Sequence, residues 1–342
     1  MEHQTLPNRP AIVYHYTHTV GYTPLMQLPT NGYDASLFLK LEPFNPMGNM
    51  KFRMALSMVD AAERDGLLKP GGRIIESTSG NTGLGLATIA AERGYRFTAI
   101  VDSHAAKDKL RAMKALGAEL IFVDEGCDGE ELSTAAREEL AETLAKEDPE
   151  AFWTEQHNNP ANNDGYTALA EELIAALGPN ISSLVAAVGT GGSSCGTARI
   201  LKRRIPELKM IGVEPVGSIA FGGPGGAYYQ SGTGTPEGAE IGECVDFSLI
   251  DKGVKVGDVE AFATARYLAR RFGVLIGGSA GGAVYAAIDA IRKEELTGCI
   301  TVIIPDGGEK YLDTIFDDDW MAARGLTNDS LFDELDRFFP PR

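Results

Sequence analysis

The sequence predicts an α/β fold of two domains, each a mostly parallel sheet with helices on both faces. Three observations predict it. The chain has 342 residues, about two domains' worth. Short, continuous apolar runs alternate with helical patterns over most of that length, as expected of strands buried on both faces and joined by helical crossovers. The alternation recurs in both halves of the chain.

Taken in order, the first 45 residues read as β-rich, with strands at Ile12-Val13-Tyr14 and Leu37-Phe38-Leu39. Ile74-Ile75-Glu76 leads into a helix beginning near Asn81. Phe97–Val101 precedes a helix near 106–116, and Leu120–Val123 precedes a long charged helix near 129–146. Further strands are expected at Leu184–Val188, Met210–Val213, Val274–Ile276 and Ile300–Ile304. A polar stretch with Pro160, Asn158–Asn163, is the expected hinge. The resulting division is a β-rich segment 1–50 packing with the large domain, a small domain 51–157, a large C-terminal domain 158–330 and a tail 331–342. The Gly-rich segment 222–238 reads as a long loop, and such loops in compact domains usually carry function or disorder.

Composition removes several classes of partner. A formal net charge of −17 argues against nucleic acid and against anionic membrane surfaces. No run approaches the ~20 apolar residues of a membrane span. The N-terminus lacks a basic region followed by an apolar one, so no secretory signal is expected. Cys127, Cys195, Cys244 and Cys299 lie far apart without a Cys-x-x-Cys pair, which fits reduced thiols in the cytoplasm and no structural metal.

Four loops carry the chemistry. Asn45-Pro-Met-Gly-Asn-Met-Lys51 delivers a lysine to the first turn of a helix whose apolar face is Phe52, Ala55, Met58, Val59 and Ala62. The positive end of the helix dipole disfavours a second cation there, which pushes the lysine toward a neutral amine. Thr78-Ser79-Gly80-Asn81-Thr82 lies between strand and helix, where unpaired N–H groups suit a carboxylate; one hydroxyl would suffice as a cap, and four polar residues exceed that need. Gly189-Thr190-Gly191-Gly192-Ser193 lets backbone wrap a phosphate at a helix start. It is neither a P-loop nor a Gly-x-Gly-x-x-Gly dinucleotide loop. Gly277-Gly278-Ser279-Ala280-Gly281-Gly282 again runs from strand to helix, with Ser279 either a cap or a partner for a ring nitrogen. Together the loops equip a site for a phosphorylated aldehyde and a substrate carboxylate.

These motifs, in this order, resemble the fold type II pyridoxal-phosphate enzymes, above all the cysteine synthase and cystathionine β-synthase family. The resemblance runs from Val20–Leu25 to Pro305–Leu312. It implies that Lys51 forms the imine with pyridoxal 5'-phosphate and later shuttles the α-proton. It implies that Asn81 meets the cofactor's ring hydroxyl, that Gly189, Thr190, Gly191, Gly192 and Ser193 hold its phosphate, and that Ser279 faces its pyridine nitrogen. Thr78, Ser79, Thr82 and Gln156, the last in Glu-Gln-His-Asn-Asn-Pro-Ala-Asn, would grip the substrate's α-carboxylate. A neutral serine at the ring leaves a weaker electron sink, which suits β-elimination better than a long-lived carbanion. The expected activity is β-replacement on O-acetylserine or O-phosphoserine through an aminoacrylate, giving cysteine or a related β-substituted alanine, in a cytoplasmic homodimer whose small domain closes over substrate.

The sequence departs from the family at Phe52, where Asp is usual, and around Gly232-Thr233-Gly234, where Gly-Ile-Gly is usual. The segments Val216–Gly222 and Tyr311–Trp320 resemble a specialised branch that includes synthases of diaminopropionate precursors. A serine/threonine dehydratase of the same fold and a non-catalytic scaffold relative are the competing readings. His157 reads as structural or solvated, Cys195 as a small buried apolar residue, and Asp317-Asp318-Asp319 as a solvated face.

Overall fold

The computed structural model describes residues 12–101, 106–123 and 134–341. Two short strands, β1 (Leu25–Leu28) and β2 (Ala35–Leu41), pair antiparallel and precede α1 (Lys51–Arg64). Then come β3 (Arg73–Ser77), α2 (Asn81–Arg93), β4 (Arg96–Val101), α3 (Lys107–Ala115), β5 (Glu119–Phe122), α4 (Thr134–Glu147) and β6 (Ala151–Trp153). The chain crosses back through α5 (Pro160–Asp164) and α6 (Thr167–Leu177) into β7 (Ile181–Ala187), α7 (Gly192–Arg204), β8 (Lys209–Pro215), β9 (Lys252–Val256), α8 (Asp258–Phe272), α9 (Gly278–Arg292) and β10 (Gly298–Ile304). Two helices, α10 (Asp318–Ala323) and α11 (Ser330–Phe338), end it.

The strands form two sheets. One has four parallel strands in the order β5-β4-β3-β6; the other has six in the order β1-β2-β10-β7-β8-β9, parallel except at the β1–β2 edge. Strand β10 is an apolar run because both its faces are covered, and its Ile300, Val302 and Ile304, like Ile74 and Ile75 of β3, are fully buried. Helix α1 joins the two cores. Its Met54 and Met58 pack with Tyr166 and Leu169 of the six-stranded side, while Phe52, Ala55 and Val59 pack with Leu86 and Ile89 of α2. Phe52 is thus core, and it is fully buried.

Two expected strands do not form. Val274–Ile276 is a connector in which only Ile276 makes a single bridge, to Gly307. Both edges of β10 are already taken by β2 and β7, so the run is apolar through burial of Ile276 rather than through pairing. Ile12–Tyr14 finds no strand partner among the described residues and leaves Ile12 73% and Tyr14 86% exposed. Most of the expected helix 129–146 is seen as α4; residues 124–133 lie outside the described residues. The polar stretch 158–163 is a packed turn into α5, capped by Asn159 and holding Asn162 fully buried. Residues of the expected tail extend α11, whose Leu335 and Phe338, with Phe339, are buried against the core that includes α8.

Candidate active site

In open parallel sheets ligands bind beyond the carboxyl ends of the strands. Here β2 leads to Lys51, β3 to residues 78–82, β7 to 189–193 and β10 to Asp306. The loops therefore converge by topology.

Lys51 is the first residue of α1, after a turn in which Met47 (φ 56) and Gly48 (φ 64) take left-handed backbone. The Asn49 side chain accepts from the Lys51 N–H at 2.9 Å. Among the described residues the Lys51 ammonium has no hydrogen-bond or ion-pair partner. Burial lowers its pKa to about 8, with the Cys244 thiol and Asp306 opposing the shift. Burial is the largest cause of the easier deprotonation.

Asn81 begins α2, and its amide is held from both sides. Its Nδ2 donates to Asp306 Oδ2 at 2.8 Å, and its Oδ1 accepts from Lys310 Nζ at 3.2 Å. The Tyr311 hydroxyl donates to the same Asp306 oxygen at 2.8 Å. Lys310 also donates to the Met47 and Gly48 carbonyls at 3.1 and 2.9 Å. Asp306 itself is 2% exposed, bridges Asn49, and accepts from the Gly277 N–H through its carbonyl at 3.3 Å. Asp306 thus ties together Asn81, through its carboxylate, and the Lys51 turn and the turn before Ser279, through its backbone. Asp306 and Lys310 lie in the Pro305–Leu312 motif, where nothing local marks their role. Their partner Asn81 lies 225 and 229 residues away, beyond any local pattern.

In the 78–82 loop, Thr78 Oγ1 accepts from the Gly80 and Gly83 N–H groups at 3.4 and 3.1 Å. The N–H groups of Asn81 and Thr82 have no acceptor among the described residues. The Thr82 hydroxyl donates to Gln156 Oε1 at 2.8 Å, so Gln156 does reach this loop. Ser79 lies in the turn between β3 and α2, half-buried.

The 189–193 loop is a cradle. Gly191 has φ +86°, and a Cβ there would sit 2.5 Å from the Cys244 carbonyl; only glycine takes that turn without strain. A Cβ on Gly192 would sit 1.9 Å from Asn162 Oδ1. Gly189 lies under Gly232, whose neighbours Thr233 and Gly234 donate to the Val188 carbonyl at 2.8 and 2.7 Å. The Gly232–Gly234 segment therefore roofs the cradle. Helix α7 has no side-chain cap, and the Ser193 and Ser194 N–H groups have no backbone acceptor among the described residues. Thr190 accepts from Asn162 at 3.1 Å and from the Gly192 N–H at 3.3 Å, which leaves its hydroxyl hydrogen for a ligand. Ser279, in the first turn of α9, is 5% exposed and its hydroxyl has no partner among the described residues. Unpaired donors at a helix start, a free amine and a free hydroxyl on converging loops fit a phosphorylated pyridine aldehyde.

The neighbours read as weak from the sequence stay structural. His157 has its pKa lowered to about 4 by burial and then by the Lys51 charge. Cys195 is fully buried, and burial raises its thiol. Asp317 caps α10 through the Trp320 N–H at 2.6 Å, and Asp318 pairs with Arg266. Among the described residues no cluster of metal ligands forms and no helix is long and apolar enough to cross a membrane.

The fold and these loops define a fold type II pyridoxal-phosphate enzyme. The family model for pyridoxal-phosphate dependent enzymes matches residues 16–306, and the chain belongs to that family. It is 52% identical over 320 residues to a putative cysteine synthase of Sinorhizobium fredii, covering 94% of this chain and 95% of that one. Among solved structures it superposes on the cysteine synthase of Entamoeba histolytica with a TM-score of 0.85 at 31% identity, covering 96% and 97% of the two chains. It also superposes on the O-acetylserine dependent cystathionine β-synthase of Helicobacter pylori with a TM-score of 0.79 at 32% identity, covering 89% and 98%.

Proposed function

We propose that this protein catalyses β-replacement on an O-activated L-serine, O-acetylserine or O-phosphoserine, giving cysteine or a related β-substituted alanine. The observation that carries the reading is the unpartnered Lys51 amine, its pKa lowered to about 8, at the meeting point of loops with unspent donors. Pyridoxal 5'-phosphate, when bound, supplies the electron sink that acidifies the substrate's α-proton and lets the β-substituent leave. The residues do the rest. Lys51 holds the cofactor and, once free, takes and returns the α-proton, because its amine is neutral in a good fraction near pH 8. Residues 189–193 bind the phosphate on the α7 start. Asn81, held by Asp306 and Lys310, has one Nδ2 hydrogen left for the ring hydroxyl. Ser279 offers the ring nitrogen a neutral partner.

Thr78, Ser79, Thr82 and Gln156 hold the α-carboxylate. Thr78 and Ser79 sit on the β3–α2 connection, Thr82 in the first turn of α2 and Gln156 on the β6–α5 connection, so movement of the four-stranded half, residues 51–157, would carry them onto substrate and exclude water. The relatives named as cysteine synthase and as O-acetylserine dependent support the O-acetyl leaving group. A homodimer is expected from the family likeness. The cytoplasm fits three free thiols, Cys195, Cys244 and Cys299, among the described residues.

The test is to incubate the cofactor-loaded enzyme with O-acetyl-L-serine and O-phospho-L-serine, alone and with sulfide, thiosulfate, homocysteine or amines, and to weigh the products. A β-substituted alanine formed only with added nucleophile supports the reading. Pyruvate released at the same rate without nucleophile would make the protein a dehydratase instead. Sedimentation of the purified protein tests the dimer.

A further inference from the structure

Strand β3 carries a buried carboxylate that the reaction does not use. Glu76 is 1% exposed and has no cation paired with it among the described residues. It is held by neutral donors instead: the Thr154 hydroxyl, the Gln156 N–H at 3.2 Å and Gln156 Nε2 at 3.3 Å. The Gln156 amide also donates to the Ser77 carbonyl at 3.3 Å, and its Oε1 accepts from Thr82 at 2.8 Å. Both amide hydrogens of Gln156 are thus spent inward, and so is the Thr82 hydroxyl hydrogen. Those are the donors a substrate carboxylate needs. The bonds from Nε2 are long, beyond the usual 2.9–3.0 Å, so they are readily exchanged.

We infer that Glu76 is a positioning residue that occupies the Gln156 donor in the resting site, yields it to the substrate's α-carboxylate, and binds a proton from solvent as it does so. This rests on the reading of Thr82 and Gln156 as the grip on that carboxylate. Two carboxylates competing for one amide in a buried site repel, and the cheaper arrangement neutralises the protein's own. The proton adds to a Glu76 oxygen, no bond to carbon changes, and the neutral acid needs fewer donors than the ion.

The surroundings favour this. On β4, Glu76 faces Ala99, which brings no charge. Among the described residues its hydrogen-bond partners from the β6 side are the uncharged Thr154 and Gln156, and α2 brings the uncharged Thr82 against Gln156. On α4, Glu138 is the charged neighbour, and as an anion it also favours protonation. His157 lies 3.8 Å from Glu138 and is kept neutral by burial and by Lys51. Burial raises the Glu76 pKa, which the Thr154 and Gln156 bonds only partly offset, to about 7.

The test uses the cofactor-loaded enzyme and the variants Glu76→Gln and Thr154→Val, with Thr82→Ala and Gln156→Ala as controls for the carboxylate grip. Steady-state rates with O-acetyl-L-serine are taken between about pH 6 and about pH 8, and L-alanine is titrated calorimetrically in buffers of different ionisation enthalpy. In the wild type, KM is expected to rise about tenfold over that range while kcat follows the same profile as in Glu76→Gln. Glu76→Gln should flatten the KM rise and remove about half a proton or more from the uptake on L-alanine binding. Thr154→Val, which takes away one donor to the anion, should move the KM rise to higher pH. Parallel KM profiles and equal proton uptake in wild type and Glu76→Gln would overturn the inference. If Thr82→Ala and Gln156→Ala leave KM unchanged, the carboxylate grip itself is wrong. If they raise KM while Glu76→Gln changes nothing, only the role of Glu76 falls.

Discussion

Asn81 Nδ2 donates to Asp306 Oδ2 at 2.8 Å, joining the start of α2 in the four-stranded half to the end of β10 in the six-stranded half. That bond, with Lys310 on the other amide atom, fixes which way the Asn81 amide faces. Replacing Asp306 by Ala leaves the amide and the Tyr311 hydroxyl without their acceptor. A hydrogen bond to a charged group contributes about 1.5–3 kcal/mol. Asp306→Ala should therefore weaken cofactor binding about tenfold to a hundredfold, read by absorbance titration of the apoenzyme with pyridoxal 5'-phosphate. Unchanged affinity would remove Asp306 from the site's support.

Gly191 gives a second prediction. Its φ of +86° and the 2.5 Å approach of the Cys244 carbonyl leave no room for a methyl group. Gly191→Ala should distort the cradle while the two cores remain folded. Retained far-ultraviolet ellipticity with loss of bound cofactor on desalting is the expected result. Full retention of cofactor would show that the loop does not hold the phosphate.

Ser279 tests the electronic argument. A carboxylate in its place, Ser279→Asp, would favour a protonated pyridine and a stronger sink. The variant should keep a visible cofactor band yet turn over O-acetyl-L-serine at least about a hundredfold more slowly. Near-normal turnover would mean that Ser279 does not face the ring.

A buried charge network holds the start of α1 in place. Arg53 pairs with Glu42 at 2.7 Å and with Glu172 at 2.9 Å, and Lys40 pairs with Glu172 at 2.5 Å. Removing one partner leaves the others buried and uncompensated, so Arg53→Met should cost about 3–5 kcal/mol in urea unfolding. For Glu172, burial pushes the carboxyl up, but the bonds and charges of Arg53 and Lys40 outweigh it and hold the pKa at about 2. A lowered carboxylate pKa gives stability that is present above the unfolded value, 4.5, and lost as pH falls toward about 2. Glu172→Gln should lower stability at neutral pH and flatten the acid limb between those values; an unchanged acid limb would contradict the assignment.

Much of this was legible in the chain because strand, loop and helix are local. Ile74–Glu76 running into Thr78–Thr82, and Leu184–Val188 running into Gly189–Ser193, announce a strand end and a ligand loop within about ten residues. What was not legible is long-range. Nothing local to Pro305–Leu312 gives Asp306 a role until Asn81 is seen against it, and nothing in the strand run Ile74–Glu76 gives Glu76 one until Thr154 and Gln156 close over it. Val274–Ile276 misled for a related reason: a buried connector and a buried strand share one composition, and only the occupied edges of β10 separate them.

The central claim is that Lys51 carries the cofactor. Borohydride reduction of the holoenzyme followed by peptide mapping tests it most directly. The account predicts that the peptide containing Lys51 gains the mass of a phosphopyridoxyl group and that Lys51→Ala is colourless and inert. A reduced adduct on Lys109 or Lys310, with Lys51 unmodified, would contradict it.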